Sequence, residues 1–260
     1  MILGLQFGRH CNTHCLITAI LVTVVGVVNG STQISVDEDL QNLLGRCHNQ
    51  SGDDYNNCMK QTFNDLRAFF TTGVPTYNIK PFDPHHCGFV ELRRGDIHGP
   101  GNFKLILRNI SEYGWSRSEV TKVHTDTEDQ RIVYAQYFPE KSLEGQYEFK
   151  AHMLGAELRR RGHWNMTLYD YSQTTSVQRV GAPGSLLKVH VEVDRIGGME
   201  LHIENLLGQP LNQLADGVIN SMWQLGLPFV RPMINELVSS AFTDIFNESF
   251  RYFPLEKFLS

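Results

Sequence analysis

Residues 211–245 read LNQLADGVINSMWQLGLPFVRPMINELVSSAFTDI, and apolar side chains recur in this stretch every three or four positions. Such spacing predicts a long amphipathic helix. Pro228 and Pro232 fall inside it, and an interior proline costs about 3 kcal/mol unless the helix bends, so we expect a kink near 226–232. The apolar face comprises a first stripe of Leu211, Leu214, Val218, Met222 and Leu225 and a second stripe of Ile234, Leu237, Val238, Ala241, Phe242 and Ile245.

The middle of the chain, from about residue 89 to 203, alternates with a period of two, which is typical of half-buried strands. Turn-forming groups such as Gly197-Gly198 separate the alternating runs and favour neighbouring hairpins in one antiparallel sheet. The predicted strands span residues 88–93, 102–113, 120–126, 130–138, 144–152, 155–171, 174–180, 186–195 and 198–205.

The segment before the sheet, from Asp37 to Phe70, has helical spacing, and Gly73-Val74-Pro75 ends it. Helices, a long sheet and one further helix pack naturally if the sheet wraps its apolar face around the terminal helix. The predicted fold class is therefore α+β, with a long C-terminal helix wrapped by a highly curved antiparallel sheet. Because a coiled sheet cannot contact a helix evenly along its length, a hydrophobic tunnel can remain between them.

The amino terminus carries an apolar run, Leu16 to Val28, that is short for a membrane span and ends in small residues. We interpret residues 1–30 as a signal peptide cleaved after Gly30, the alternative being an uncleaved anchor. The remaining residues, 31–260, would form one ligand-binding domain that is secreted and extracellular. A net charge of −5 argues against a nucleic-acid partner, and no later apolar run is long enough to span a membrane.

Three cysteines follow the expected cleavage site, which suits an oxidising compartment. Cys47 and Cys58 enclose a short polar loop and are the favoured pair, although the spacing leaves pairing with Cys87 open. Otherwise Cys87 would be a buried or spare thiol. Asn-X-Ser/Thr glycosylation signals are present at Asn49, Asn109, Asn165 and Asn247.

Several short motifs, taken in order, resemble the takeout / juvenile-hormone-binding protein family of insects, and the resemblance covers nearly all of the chain after residue 30. No single motif is specific, but their fixed order together with a signal peptide is. The motifs are Cys47…Cys58, Gly73-Val74-Pro75…Asp83-Pro84, Leu143-Glu144-Gly145-Gln146-Tyr147, Trp164-Asn165-Met166-Thr167-Leu168-Tyr169-Asp170, Asn205-Leu206-Leu207-Gly208, Ile219-Asn220-Ser221-Met222-Trp223, Phe242-Thr243-Asp244-Ile245-Phe246-Asn247 and Phe250-Arg251-Tyr252-Phe253-Pro254.

This resemblance implies a tunnel that holds a small hydrophobic ligand, such as a juvenile-hormone-like terpenoid, a fatty acid or another lipid. It implies carriage and not catalysis, with no cofactor. The sequence departs from the family at residues 154–162, where a Leu-Pro-Ile-x-Gly-x-Gly stretch is common. It also has no cysteine after Cys87, whereas hormone-binding members carry a second disulfide.

Signals for catalysis or metal binding are weak in this sequence. No Gly-x-Ser-x-Gly motif occurs, and no spacing of Ser, His and Asp predicts a triad. The densest group of possible metal ligands is Asp83-Pro84-His85-His86-Cys87. Adjacent side chains of an extended chain point to opposite sides, so one ion would reach at best two of them, and we predict no metal site.

Candidate ligand-binding residues are the large apolar and aromatic ones of the predicted strands and terminal helix. Methionine adapts to irregular shapes, and tyrosine can offer one hydrogen bond to the polar head of a ligand. The alternative hypothesis is a secreted interaction protein with a collapsed tunnel and an exposed apolar patch, acting through a protein partner. The candidates are Trp115, Tyr134, Phe138, Tyr147, Phe149, Met153, Trp164, Met166, Met222, Trp223, Phe229, Met233, Leu237 and Phe242.

Overall fold

The computed structural model confirms the predicted class, a long C-terminal helix against one antiparallel sheet of seven strands. It describes residues 38, 40, 42, 43, 45–75, 79–94, 103–126, 128–153, 156–181, 185–206 and 211–249. The expected signal peptide lies outside these residues. The elements are α1 (Gly52–Asp65), a 3-10 helix (Leu66–Phe69), β1 (His85–Arg94), β2 (Phe103–Tyr113), β3 (Glu119–Asp126), β4 (Arg131–Met153), β5 (Ala156–Arg179), β6 (Leu187–Arg195), β7 (Gly198–Ile203) and α2 (Asn212–Ser249).

Two long central strands, β4 and β5, organise the sheet, and every pairing is antiparallel. The path runs β1-β2-β4-β5-β6. β3 pairs with residues 131–137 of β4, while β2 pairs with its residues 142–151. In the same way β7 and β6 pair with successive parts of β5. A sheet built on such long strands has room to twist strongly and curve around a helix.

The predicted breaks inside β4 and β5 do not exist, because Arg131–Met153 is one continuous strand and Ala156–Arg179 is another. Pro139 and Asp170 lie opposite each other, and they are not paired although the residues on both sides of them are. Asp170 has φ 48° there. Up to this point the inward residues of β4 are even-numbered, such as Gln136, and beyond it they are odd-numbered, such as Lys141. The irregularity shifts the inward face by one residue without ending the strand.

Helix α2 continues through Pro228 and Pro232 without a break in its assigned span. Its polar side chains contact the free edge of β6 at four-residue intervals. Asn235, Ser239, Thr243 and Asn247 accept hydrogen bonds from the backbone N–H groups of residues 193, 191, 189 and 187, at 2.8 to 3.1 Å. An exposed strand edge invites unwanted pairing, and here the helix covers it.

The first predicted apolar stripe of α2 does not face the sheet, so the expectation that it belongs to the wrapped face is wrong. Since polar side chains of the helix occupy the sheet edges, this stripe points outward. Asn220 bonds Leu201 of β7 through both its Oδ1 and its Nδ2, at 2.8 and 3.0 Å. The exposed stripe comprises Leu211, Leu214, Val218, Met222, Leu225 and Phe229.

The amino-terminal helical layer packs on β3 through a small core of its own, in which Met59 contacts the Val120 and Val123 cluster. Cys47 and Cys58 are joined, with their Cα atoms 5.8 Å apart, which confirms the favoured pairing. Cys87 is disulfide-bonded as well, so it is not the spare thiol that we expected.

Candidate ligand-binding site

Two apolar chambers lie between the sheet and α2. Chamber 1 has a volume of about 240 Å³, and its wall combines the inward faces of β1, β2, β4 and β5 with the second apolar stripe of α2. Chamber 2, about 140 Å³, lies between the 3-10 helix region, β4 and the end of α2. An apolar cavity of ~150 Å³ accommodates benzene, so the pair can hold on the order of fifteen non-hydrogen atoms.

An aromatic partition separates the chambers. Phe242 of α2 lines both, and its ring centroid lies 5.6 Å from that of Trp115. Trp115 in turn packs edge-on against Phe82 at 4.7 Å and against Phe138 at 5.2 Å. Such ring clusters add to plain area burial, and a partition built of side chains can be displaced by rotamer changes more easily than backbone can.

A buried polar cluster faces chamber 1 beside this partition. The Nζ of Lys141 lies 2.7 Å from Oε1 of Glu112, and the two side chains are only 4% and 11% exposed. His85 completes the cluster, with Nδ1 3.9 Å from Oε2 of Glu112. Burial of an ion pair costs much of its Coulomb energy, so a pair in an apolar wall needs other support.

Aromatic faces provide that support. The Lys141 ammonium lies 4.4 Å from the ring centroids of both Trp115 and Phe138, and 5.1 Å from that of Tyr171. Cation–π contacts of this kind stabilise a desolvated ammonium by up to about 2 kcal/mol each. The structure therefore keeps a charged lysine inside an otherwise apolar cavity.

Tyrosine hydroxyls in the walls are held in their neutral form. Burial raises the pKa of Tyr134, in the wall of chamber 2, to about 12. Burial also raises the pKa of Tyr171, assisted by the negative charge of Glu112. Tyr171 donates to Gln173 at 2.9 Å, and Gln173 donates onward to Thr175 at 3.2 Å. This chain stays uncharged at physiological pH.

Two indole N–H groups in the walls have no hydrogen-bond acceptor among the described residues. They belong to Trp115, in the wall of chamber 2, and Trp164, in that of chamber 1. A buried donor without a partner costs about 1–3 kcal/mol. Either group would gain free energy from an oxygen acceptor on a bound molecule.

The structure brings half of the candidate residues to the chambers. Trp164, Met166, Trp223 and Leu237 line chamber 1, Trp115 and Tyr134 line chamber 2, and Phe242 lines both.

The other candidates lie elsewhere. Phe138 is fully buried behind the partition, and Tyr147 donates to the carbonyl of Glu204 at 2.5 Å, away from both chambers. Phe149 packs on Phe103. Met222 and Phe229 point to solvent, 52% and 86% exposed. Met233 lines neither chamber, and the side chain of Met153 lies outside the described residues.

Sequence reasoning missed the polar cluster, because charged residues on strands are expected to face solvent. Glu112 turns inward after a bulge in β2 at Asn109, whose φ is 50°, and Lys141 turns inward after the shift at Pro139. The readable signals were Asn109, a residue type that tolerates positive φ, and a proline within an alternating run.

The group Asp83 to Cys87 has structural roles. Asp83 accepts backbone N–H bonds from Gly114 at 3.1 Å and Ser116 at 2.8 Å. His86 is exposed and 3.2 Å from Ser111, whereas His85 faces chamber 1. Within the described part of the chain, no three His, Cys, Asp or Glu side chains are placed to hold a metal ion.

Helix, curved sheet and apolar chambers together define a class of fold that encloses small hydrophobic molecules. The chain belongs to the haemolymph juvenile hormone binding protein family, whose model matches residues 19–260. In the part of the chain that the structure describes, no helix has the length and apolar character needed to cross a bilayer.

The fold also occurs in a solved structure. Takeout 1 of Epiphyas postvittana matches with a TM-score of 0.53 at 15% identity, over 76% of this chain and 91% of that one. A lipopolysaccharide binding protein aligns with a TM-score of 0.27 at 10% identity, over 82% of this chain and 38% of that one. A search among curated protein sequences finds no match.

Proposed function

We propose that this protein is a secreted, non-enzymatic carrier that binds a small lipophilic molecule in chambers 1 and 2. The observation that carries the proposal is the adjoining pair of apolar chambers, about 240 and 140 Å³, between α2 and the sheet. Membership of a family of juvenile hormone binding proteins supports it. The candidate cargoes are juvenile-hormone-like terpenoids, fatty acids and other lipids.

The energetics suit reversible carriage. Removing about 300 Å² of ligand surface from water contributes roughly 7 kcal/mol at 25 cal/mol per Å². A free energy of about 7 kcal/mol corresponds to a dissociation constant of about 10 µM, and ordering the ligand and the partition offsets part of it, so the expected affinity is weaker than that. A carrier must release its cargo, and binding of this strength allows it.

Secretion is part of the proposal, and a disulfide bond and exposed glycosylation signals support it. The Cys47–Cys58 bridge closes a short loop, and such a bridge stabilises by about 2–3 kcal/mol only where it stays oxidised. Asn49, Asn109 and Asn165 are exposed and could accept glycans. We expect cleavage after Gly30.

The experiment is expression of the whole chain in a secretory host, which leaves any cleavage to the host, followed by solvent extraction of the purified protein and mass spectrometry of the extract. Displacement of the neutral fluorescent probe N-phenyl-1-naphthylamine measures affinity in parallel. Recovery of a stoichiometric lipid together with saturable probe binding is the expected result. Well-folded protein that yields no lipid and binds no probe would refute the carrier.

A matched pair of variants on α2 locates the binding. Leu237→Trp fills chamber 1, since Leu237 lines it, and should weaken probe binding at least tenfold. Leu225→Trp makes the same substitution on the exposed stripe, where the leucine is 70% exposed, and should leave binding unchanged. Equal effects of the two variants would place the probe on the surface instead.

A protein partner is the second candidate function, and the exposed stripe of α2 is the observation that favours it. Phe229 is 86% exposed within a run of large apolar side chains, and soluble proteins seldom leave such a patch uncovered without a use for it. The collapsed tunnel of that hypothesis is at odds with the open chambers. Loss of partner capture in Phe229→Ser, with probe binding intact, would support it.

A further inference from the structure

Chamber 1 offers its ligand a lysine, Lys141, whose positive charge is already balanced by Glu112. An ammonium has three N–H donors, and the Lys141 ammonium has one polar partner among the described residues, Glu112 at 2.7 Å. The faces of Trp115, Phe138 and Tyr171 surround the rest of the group. At least one donor therefore remains for a ligand atom, since both Lys141 and Glu112 line the chamber.

The net charge of the cluster determines whether this donor prefers a charged or a neutral acceptor on the ligand. A free carboxylate would lie beside the negative Glu112 as well as the positive Lys141, so attraction and repulsion would largely cancel. It would still lose its hydration on entering the apolar chamber. The indole N–H of Trp164, which has no acceptor among the described residues, repays little of that loss, because a neutral oxygen can accept the same hydrogen bond. A neutral oxygen acceptor takes the N–H bond at a far smaller desolvation cost.

We infer that chamber 1 selects lipids whose polar end is a neutral oxygen acceptor, such as an ester or ketone, and discriminates against the corresponding free acids. This inference rests on the proposed carrier function. Lys141 donates the hydrogen bond to the ligand. Glu112 acts as a specificity-determining residue, because it cancels the charge that would otherwise attract an anion.

Recognition of a ligand oxygen also accounts for the presence of an ion pair in this cavity. Two apolar side chains of similar size would fill the same space, often at equal or better stability. The pair lies on β2 and β4 in the wall of the cavity, next to the partition. It can therefore bind one polar atom of a ligand while the rest of the ligand lies against apolar walls.

The test compares methyl decanoate with decanoate at pH 8.5, where the decanoate carboxyl group is ionised. Both ligands displace N-phenyl-1-naphthylamine from the full mature chain. We expect methyl decanoate to bind at least tenfold more tightly than decanoate. Equal binding, or tighter binding of the acid, overturns the inference and leaves the carrier proposal standing, whereas no binding of either ligand or of the probe overturns both.

Variants then separate charge balance from packing. Glu112→Gln leaves the lysine charge uncompensated and should shift the ester-to-acid preference at least tenfold toward decanoate. Glu148→Gln is the matched control, because Glu148 also pairs with a lysine, Lys150 at 2.8 Å, but lies at a half-buried position of β4 that lines neither chamber. If Glu148→Gln shifts the preference as much as Glu112→Gln does, the inference fails.

A double variant guards against misfolding of the single one. Lys141→Met with Glu112→Leu removes both charges together, which proteins tolerate better than an unpaired buried charge. This variant should bind methyl decanoate about tenfold more weakly than the wild type, because the donor is gone. Unchanged ester affinity in a folded double variant would show that Lys141 does not contact the ligand.

Discussion

Asn247 shows how one residue can carry a modification signal and a structural role that exclude each other. Its Oδ1 accepts from the N–H of Leu187 at 2.8 Å. Its Nδ2 donates to the carbonyls of Leu187 and Thr243, both at 2.7 Å. An N-linked glycan replaces one of those Nδ2 hydrogens and needs open space, so the folded site cannot accept one.

We therefore predict that glycopeptide mass spectrometry of secreted protein finds Asn247 unmodified, in contrast to the exposed Asn165. Asn247→Ala should lower the free energy of unfolding by about 1–3 kcal/mol, because two backbone groups of Leu187 lose their partner. Asn165→Ala serves as the control and should change stability by less than about 0.5 kcal/mol. A glycan on Asn247 would contradict the observed helix–strand contact.

Tyr134 gives a pH dependence whose sign follows from its burial. An unfolded tyrosine ionises near pH 10, while in the folded chain burial raises the pKa of Tyr134 to about 12. Stability from this residue is thus fully present below pH 10 and is lost as the pH rises through 12, by up to about 2–3 kcal/mol. Urea unfolding from pH 9 to 11.5 should show a shallower decline in Tyr134→Phe, and an equally steep decline would refute the assignment.

At the scale of elements, the contact between α2 and β6 depends on polar side chains repeating every four residues. Ser239 accepts from the N–H of Val191 at 2.8 Å and donates to its carbonyl at 3.2 Å. We predict that Ser239→Ala lowers the free energy of unfolding by about 1–3 kcal/mol.

The matched control for that prediction lies on the outer face of the same helix. Ser221 is exposed and bonds only the carbonyl of Val218 within α2, at 3.0 Å, among the contacts of the described residues. Ser221→Ala should be within about 0.5 kcal/mol of the wild type. Chemical denaturation measures both variants, and equal costs would mean that the edge contacts do not hold the helix in place.

Periodicity predicted the helix and most strands, but it could not predict which side of the helix meets the sheet. The rule that apolar stripes face inward holds for the second stripe, which includes Leu237, and fails for the first, which includes Leu225. It fails because the sheet presents its edges to α2, and edges need hydrogen-bonding partners. The four-residue repeat from Asn235 to Asn247 was visible in the sequence, but its meaning depended on an unpaired edge nearby.

Alternation also failed where a strand changes phase without ending. Pro139 suggested a strand end, yet β4 continues and only its inward face shifts by one residue. Lys141 becomes an inward residue as a result. From the sequence alone, a charged residue shortly after a proline is expected in a surface turn, and the polar cluster was therefore not predictable. The aromatic wall was partly predictable, because large aromatic side chains are expected to be buried.

At the scale of the whole molecule, the partition determines how long a ligand the protein can hold. Among the described residues only Phe242 lines both chambers, and its neighbour Trp115 completes the barrier. Chamber 1 alone holds about ten non-hydrogen atoms by comparison with benzene in a ~150 Å³ cavity. A longer ligand has to move the phenylalanine ring, and the free energy of that movement lowers its affinity.

We predict that Phe242→Ala shifts the preferred length of fatty-acid methyl esters upward by several carbons, since it joins the two chambers. Truncating a buried phenylalanine costs about 3–5 kcal/mol, so thermal unfolding first verifies that the variant remains folded. Displacement of N-phenyl-1-naphthylamine by esters of eight to eighteen carbons gives the length profile. Phe229→Ala, at an 86% exposed position on the same helix, should keep the wild-type profile. If the profile of folded Phe242→Ala matches that of the wild type, then ligands do not cross the partition, and chamber 2 is a packing defect that plays no part in binding.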